Sequence, residues 1–489
     1  LKTFLQLKTL IPLIFLGLVY ILLPNQNQQI DSWYYAACVK HHHELLNSHH
    51  LLYNMWGYGF YTFTKVFYSE MEAIKALSLM NALSAFASLL VFYKILKNIG
   101  KKDMTALWLS IFCGVCFGFW RYASDAESYS LPLLWALLAT LFYSNKDNRY
   151  ASIWCGLFAV LAVLTHQLYI WWTIALFFGY MRFRPQKDWW KFGSVLLLLP
   201  LSYYVAYNIV ETDAKNLVIF ILGEYSKGNA HIQMSEQSLL LGGINLIRSF
   251  GQVHGNMLYL FNEFSSFYWF LILLILYFLF KNCKMANFQL NRIKGAKNDL
   301  WFVATIGFSL HFLFAIFSDG NAEFMSMLPF LIVLIFVSFY EIKSIQILAT
   351  FSVLLFLWNL SFAILPNHFT NISQVNQQVA TTIQNPNAIF IWTDKPLVEN
   401  QVDYVLGFNH TIRYIKKDAI NIDSMTHLLK QGKKIYTDIG LQTTQWTRAS
   451  MIEKQSETDL NRYFKFNKVD SFENLYGKNY IYQLLLNNE

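Results

Sequence analysis

The chain has 489 residues, of which 55% are hydrophobic, 18% aromatic and 14% charged, with a mean hydropathy of +0.32. Soluble domains carry about a quarter charged residues, so this composition excludes an ordinary soluble enzyme and implies a membrane-embedded chain. The net charge of +8 does not point to nucleic acid, because Lys and Arg sit mainly in short connections between apolar runs, where they record orientation.

Runs such as Ile11 to Leu23, Phe267 to Phe280 and Phe324 to Tyr340 supply apolar centres. With their flanks they can cross a hydrocarbon core that needs about 20 residues, and lipid leaves them no alternative to helix. The pattern predicts about eleven spans, at 5–24, 75–96, 104–120, 131–145, 150–166, 167–182, 192–210, 265–282, 299–317, 324–342 and 346–365. Lys2 and Lys8 precede the first apolar core and no small-residue cleavage site follows it, which reads as an uncleaved signal anchor with a cytoplasmic N-terminus. On that assignment Lys94, Lys97, Lys101 and Lys102, then Lys146 and Arg149, Arg182 to Lys191, and Lys281 to Lys297 all fall on the cytoplasmic side. The pair 150–166 and 167–182 is separated only by Thr165, His166 and Gln167, and the parity of every later span depends on it.

The expected organisation is an all-α polytopic membrane protein, residues 1–366, with external loops 24–70, 121–130, 210–265 and 318–323. Residues 367–489 are expected to form a small external α/β domain. NAIFIWTD and KKIYTDIG read as short buried strands, and Ser424 to Gln431 as a helix between strands. Aromatic amphipathic stretches in the first and third loops suit the membrane interface. Cys113 and Cys116 lie in the apolar run LSIFCGVCFGFW without further ligands and read as packing residues.

Chemistry-bearing residues gather in the first loop, DSWYYAACVKHHHELLNSHHLLY, from Asp31 to Tyr53. Asp31 is suited to deprotonate an acceptor hydroxyl or to hold a metal, although its spacing alone favours a cap on the helix that follows. If the segment were one helix, His42 with His49, or His43 with His50, would share a face and offer imidazoles to a metal; a milder use of His49 or His50 is to bind a phosphate. A second constellation, Trp120 to Tyr129, carries Arg121, Asp125, Glu127 and Tyr129. Arg121 and Asp125 can pair at i,i+4, which leaves Glu127 as the informative residue. The third, Ser318 to Glu323, holds Asp319 and Glu323, which serve either a helix N-terminus or a site. His166 falls at the external end of its span, whereas His311 reads as a packing histidine. Lys215, Lys227, Arg248 and His254 place cations in the third external loop, as phosphate recognition requires.

The order of these features resembles the GT-C superfamily of polytopic glycosyltransferases, and within it the proteins related to protein O-mannosyltransferases and their bacterial relatives. The likeness rests on Asp31, HHLLYN before the second span, FWRYASDAESYSLPLL after the third, THQLY, and DGNAEFMSMLP before a late span, over about the first two-thirds of the chain. It implies transfer of a sugar from a polyprenyl-phosphate donor to an external protein, lipid or glycan acceptor, in a bacterial inner membrane with the tail periplasmic. It also implies that Asp31 is the base and that Glu127 lies in the same catalytic cavity. Substrate contacts are expected from His49, His50, Tyr53, Arg121, Tyr129, His166, Asp319, Glu323, Arg248 and His254. No cofactor is required; a divalent metal is compatible with the histidines and is not predicted. Two departures stand out: His49-His50-Leu51-Leu52 replaces the relatives' His-Pro-Pro-Gly, and Ser32 follows Asp31 where mannosyltransferases carry Asp-Glu.

Three competing readings remain. An O-antigen ligase or polymerase usually has several essential arginines in a late external loop, where this chain has only Arg248. A transporter should show inverted repeats and broken helices, neither of which the sequence displays. A scaffold would leave Asp31 and Glu127 without a shared cavity.

Overall fold

The computed structural model describes residues 2–146, 148–210, 212–223, 234–253, 256–285, 290–292, 298–416, 419–439, 460 and 462–487. The first half runs α1 (Lys2–Leu22), α2 (Ile30–His41), α3 (Tyr53–Phe67), α4 (Ala73–Asn98), α5 (Asp103–Val115), α6 (Phe117–Ala123), α7 (Ser130–Ser144), α8 (Ala151–Thr165), α9 (Ile170–Phe183), α10 (Gln186–Leu196) and α11 (Leu198–Ile209). There follow α12 (Leu217–Ile221), α13 (Glu236–Phe250), α14 (Asn256–Glu263), α15 (Ser265–Met285), α16 (Leu300–Phe317), α17 (Leu328–Phe339), α18 (Ile345–Asn359) and α19 (Leu365–Phe369). The tail adds α20 (Asn376–Gln384), α21 (Lys395–Leu406) and α22 (Ile422–Lys430).

The expected count of eleven spans is corrected. Among the described residues five helical stretches are long and apolar enough to cross a membrane, or seven if each of two sharply bent pairs is one span. For the expected spans 131–145, 150–166 and 167–182 the difference arises because turns cut apolar runs that a hydropathy window joins. Ser130–Ser144 and Ala151–Thr165 have 15 residues each, about 22 Å at 1.5 Å per residue, short of a core about 30 Å thick. The expected span 167–182 begins as a 3-10 turn and is helical from Ile170 to Phe183.

Broken helices, which the sequence did not display, do occur. α5 and α6 bend by 72° and α14 and α15 by 111°. Cys116 leaves the helical region at φ −61, ψ 135, and the Val115 carbonyl freed there accepts Asn359 Nδ2 at 2.7 Å. That bond satisfies a backbone group for which lipid offers no partner. Asn359 also donates to Phe250 O at 2.8 Å and accepts Gln252 N–H at 2.8 Å, so one buried amide ties the break to the end of α13.

The main core lies among α1, α4 to α9, α16 and α17, where Tyr20, Phe92, Phe119, Trp120, Trp172 and Phe330 are all buried. Small residues allow the close approach. A Cβ at Gly307 of α16 would stand 2.5 Å from the Trp172 ring of α9. At one end of the bundle Asp299 pairs with Arg184 at 2.8 Å and with Lys146 at 3.5 Å. This places three of the basic connections predicted to share a side at the same end.

At the other end, Asp319 and Gly320 turn back with φ of 57 and 69. A Cβ at Gly320 would meet Gly242 N at 2.6 Å and Ser238 O at 2.8 Å on α13. Gly320→Ala is therefore expected to destabilise by about 1–3 kcal/mol through strained backbone, read as a lower thermal midpoint in detergent; an unchanged midpoint would refute this packing.

The tail contains a five-stranded sheet of order β4-β3-β5-β7-β6, in which β3 (Ile389–Ile391), β4 (Arg413–Tyr414) and β5 (Ile435–Thr437) are parallel. β6 (Phe464–Asn474) and β7 (Gly477–Leu486) form an antiparallel hairpin that the sequence reading did not anticipate. A separate pair, β1 (Leu290–Arg292) with β2 (Tyr340–Ile342), is antiparallel. The tail packs on the first loop. Trp33 and Tyr404 rings meet at 5.2 Å, Lys40 Nζ donates to Tyr404 O at 2.8 Å, and Asn400 Nδ2 donates to Ile30 O at 2.9 Å. Asn27 donates to the carbonyls of Asn367 and Thr370 and accepts the N–H groups of Ile372 and Ser373. α2 is thus held between the bundle and the tail.

Candidate active site

α2 starts at Ile30 with Gln29 as its N-cap, so the capping reading of Asp31 is wrong. Asp31 lies in the first turn, exposed, where the helix dipole favours an acid. The next residue, Ser32, is fully buried. It faces the connection between α6 and α7, where Asp125 is 0% and Glu127 is 2% exposed. Two carboxyls at such depth are costly unless bonded or neutral.

Three bonds reach Asp125: Asn25 Nδ2 at 2.7 Å, Ala126 N–H at 2.9 Å and the Ser32 hydroxyl at 2.9 Å. The backbone around it is fixed by Asn81 of α4, fully buried, which donates to Asp125 O at 2.8 Å and Glu127 O at 2.5 Å. Tyr53 OH donates to Ala126 O at 3.0 Å, and Gln28 Oε1 accepts Ala126 N–H at 3.1 Å. The i,i+4 pairing of Arg121 with Asp125 does not form, because α6 ends at Ala123. Among the described residues no ion pair joins them.

Ser32 Oγ lies 2.9 Å from Asp125 and 3.2 Å from Glu127 Oε1. One hydroxyl has one proton, so both contacts are satisfied together only when one carboxyl supplies the second. Burial raises both carboxyls. Glu127 is raised well above its ordinary value, by burial first and then by the charges of Asp31, Glu323 and Asp125. For Asp125 the Arg121 charge and its hydrogen bonds oppose the rise. Asp125 accepts from three donors whereas Glu127 meets only the shared Ser32 hydroxyl, so the hydrogen bonds place the proton on Glu127.

A raised folded-state pKa means the folded protein keeps a proton that the unfolded chain releases. Glu127 thus lowers stability progressively as pH rises from the ordinary carboxyl range toward its folded pKa. Glu127→Gln is expected to flatten the fall of thermal midpoint over that window; a curve as steep as wild type would contradict the neutral assignment.

Arg121 projects from α6 into the charges of Asp125, Glu323 and Glu127. It lines a small cleft with Leu23, Asn25, Phe117, Ser124 and Asn367. Tyr129 OH donates to Glu323 Oε2 at 3.0 Å, which brings the second and third predicted constellations together. Arg248 lies over the Phe117 ring at 5.4 Å and donates to Gln252 Oε1 at 3.0 Å, at the edge of the same region. Asp319 is exposed on its turn, with only Glu323 of that constellation bonded to Tyr129. His254 lies outside the described residues.

The segment is not one helix, the condition on which pairing His42 with His49, or His43 with His50, depended. α2 ends at His41, and His42 and Glu44 have φ of 57 and 42. This separates His42 and His43 from His49 and His50: His42 packs on Tyr58 and His43 on Phe408. His49 and His50 instead meet His166, with ligand nitrogens of all three within 4.8 Å of one another. Two backbone bonds lock the segments, Leu52 N–H to Leu164 O at 2.8 Å and Gln167 N–H to His49 O at 3.3 Å. Burial, then the neighbouring imidazoles, push His50 and His166 well below the ordinary histidine range, so both are neutral.

Sequence reasoning missed Asn25, Gln28, Ser32 and Asn81. Ser32 stands beside Asp31, where the buried side of α2 begins. Asn81, a lone amide inside the apolar helix α4, was a signal available in the sequence.

The chain has the fold of a polytopic, largely helical membrane protein with a small C-terminal sheet domain. The chain is similar to ArnT from Cupriavidus metallidurans in a crystal structure bound to undecaprenyl phosphate, with TM-score 0.53 and 10% identity over 99% of this chain and 98% of that one. It is also similar to the arabinofuranosyltransferase AftD from Mycobacteria, with TM-score 0.47 and 13% identity over 98% of this chain and 40% of that one. No protein-family model matches the sequence, and no curated protein matches it.

Proposed function

We propose that this protein transfers a sugar from a polyprenyl-phosphate donor to an acceptor hydroxyl at the external face of the membrane. The observation that carries the reading is the gathering of an exposed acid, Asp31, a buried neutral acid, Glu127, and the cation Arg121 around one loop. The shared fold with ArnT, whose structure holds undecaprenyl phosphate, supports the donor class.

In the proposed reaction the acceptor oxygen attacks the anomeric carbon, its proton passes to Asp31, and the bond from that carbon to the phosphate oxygen breaks. Polyprenyl phosphate leaves as a stable anion whose charge Arg121 meets, which is where preorganised electrostatics lowers the barrier. Glu127 stays neutral and, through Ser32, fixes Asp125. In this reading Tyr129, Glu323, Arg248 and Asp319 contact the substrates from the side of α13. Kinship with O-mannosyltransferases, a bacterial inner-membrane location and a periplasmic tail belong to the same reading, supported by the loop acids and the clustered basic ends. Residues 1–366 act as the catalytic bundle and 367–489 as an external domain bracing α2.

The test is binding of undecaprenyl phosphate to the purified protein by native mass spectrometry. Arg121→Gln is expected to weaken it by about tenfold, the loss of a charge-assisted bond; equal binding by both proteins would remove Arg121 from the phosphate site.

A further inference from the structure

We propose that His49, His50 and His166 form a binding site for a divalent transition metal of the zinc class, distinct from the carboxyl network and independent of the proposed transfer reaction. Zinc takes imidazole nitrogens in a tetrahedral arrangement, and three protein ligands leave a fourth position for water or a substrate atom. The donor set contains nitrogen alone, which disfavours magnesium and calcium, whose ligands are oxygens.

The tautomers are set by groups behind the rings, as in metal sites where an outer partner holds each histidine. His49 Nδ1 lies 3.2 Å from Gln167 Oε1. The orientation of that amide is fixed because Gln167 Nε2, with two N–H groups, has three acceptors around it, Ser48 O, Tyr203 OH and Ile221 O, at 2.9, 3.1 and 3.0 Å. The proton of His49 is therefore on Nδ1 and its lone pair on Nε2. His50 Nδ1 is a buried nitrogen with no hydrogen-bond partner. It is an orphaned ring nitrogen in a residue 7% exposed that packs against the other two imidazoles. An orphaned nitrogen at that depth is uncommon and requires an explanation; a cation supplies one.

One contact competes. His166 Nδ1 accepts Leu168 N–H at 3.2 Å, a long bond that a tautomer change at His166 would give up on coordination. The rings are otherwise close to placement, with centroids of His50 and His166 4.3 Å apart and of His49 and His50 4.6 Å apart. His49 is only half-buried, which gives an ion a path in.

The experiment uses the full chain in detergent, stripped with EDTA, dialysed, and titrated with Zn2+ and separately with Co2+. One equivalent of each is expected, with the visible ligand-field absorption of four-coordinate Co2+. His50→Ala and His166→Ala should each weaken Zn2+ by at least about tenfold, and Gln167→Leu, which removes no ligand but releases His49, by about 10–100-fold. His42→Ala, in the exposed part of the same loop, should bind as wild type does. If a buried variant fails to fold, His49→Ala at the half-buried position serves in its place. Absence of stoichiometric binding by folded wild type, or equal affinity in wild type and the His49 or His50 variant, overturns the proposal.

Discussion

Replacing Asp31 with asparagine is expected to lower sugar transfer by about 10²–10⁴-fold, the usual contribution of a positioned general base, with the protein still folded in the membrane. The separation of activity from stability follows from the structure. Asp31 is exposed and is not the helix cap, whereas the residues that fix α2, Asn27, Ser32 and Lys40, are untouched by the change. Its charge also reaches Glu127, so the substitution removes one of the causes that keep Glu127 neutral. Glu127→Gln imitates the protonated side chain and should cost far less than Asp31→Asn. The measurement is donor turnover in proteoliposomes for both variants. Near-wild-type turnover in Asp31→Asn would remove Asp31 from the chemistry, and a larger loss in Glu127→Gln would reverse the assignment of the two acids.

Asn81→Leu is expected to damage both stability and activity. The amide is fully buried and serves two carbonyls of the loop that carries the acids. Leucine fits the volume and bonds neither carbonyl, and each buried acceptor left without a partner costs about 1–3 kcal/mol. Tyr53 still holds Ala126 O, so the loop should shift and not unfold. A displacement on the order of 1 Å at reacting groups lowers rates by about 10²-fold. Thermal midpoint and turnover should fall together, while Tyr53→Phe should give the same pattern more weakly. If Asn81→Leu retained both wild-type stability and wild-type turnover, the loop would be held by something else.

The membrane class and the strands at Ile389 and Ile435 were legible in the sequence because each depends on local composition or short-range pattern. The span count was not, since hydropathy registers apolar length and is blind to helix ends made by buried turns, as at His166 and Cys116. Asp31 and Glu127 were legible as ionisable groups at span ends. Of the amides that organise them, Asn25 and Gln28 look like ordinary polar residues until α1, α2 and α4 converge, and Asn81, conspicuous inside apolar α4, does not reveal its partners. The histidines divide for the same reason. His49, His50 and His166 are 117 residues apart at the widest, counting from 49 to 166, and are brought together by the backbone bonds of Leu52 and Gln167 and by the Gln167 side chain. The His-His-Leu-Leu departure from the relatives' His-Pro-Pro-Gly falls on this segment, which here turns through an isolated bridge between Asn47 and His50.

Mass spectrometry of external glycoconjugates and of polyprenyl-phosphate sugars, in cells lacking the protein and in cells carrying Asp31→Asn, tests the central claim most directly. The account predicts that one class of glycoconjugate loses the mass of a sugar residue in both strains and that the matching polyprenyl-phosphate sugar accumulates. Unchanged glycoconjugates together with an unchanged lipid-linked sugar pool in both strains would contradict it.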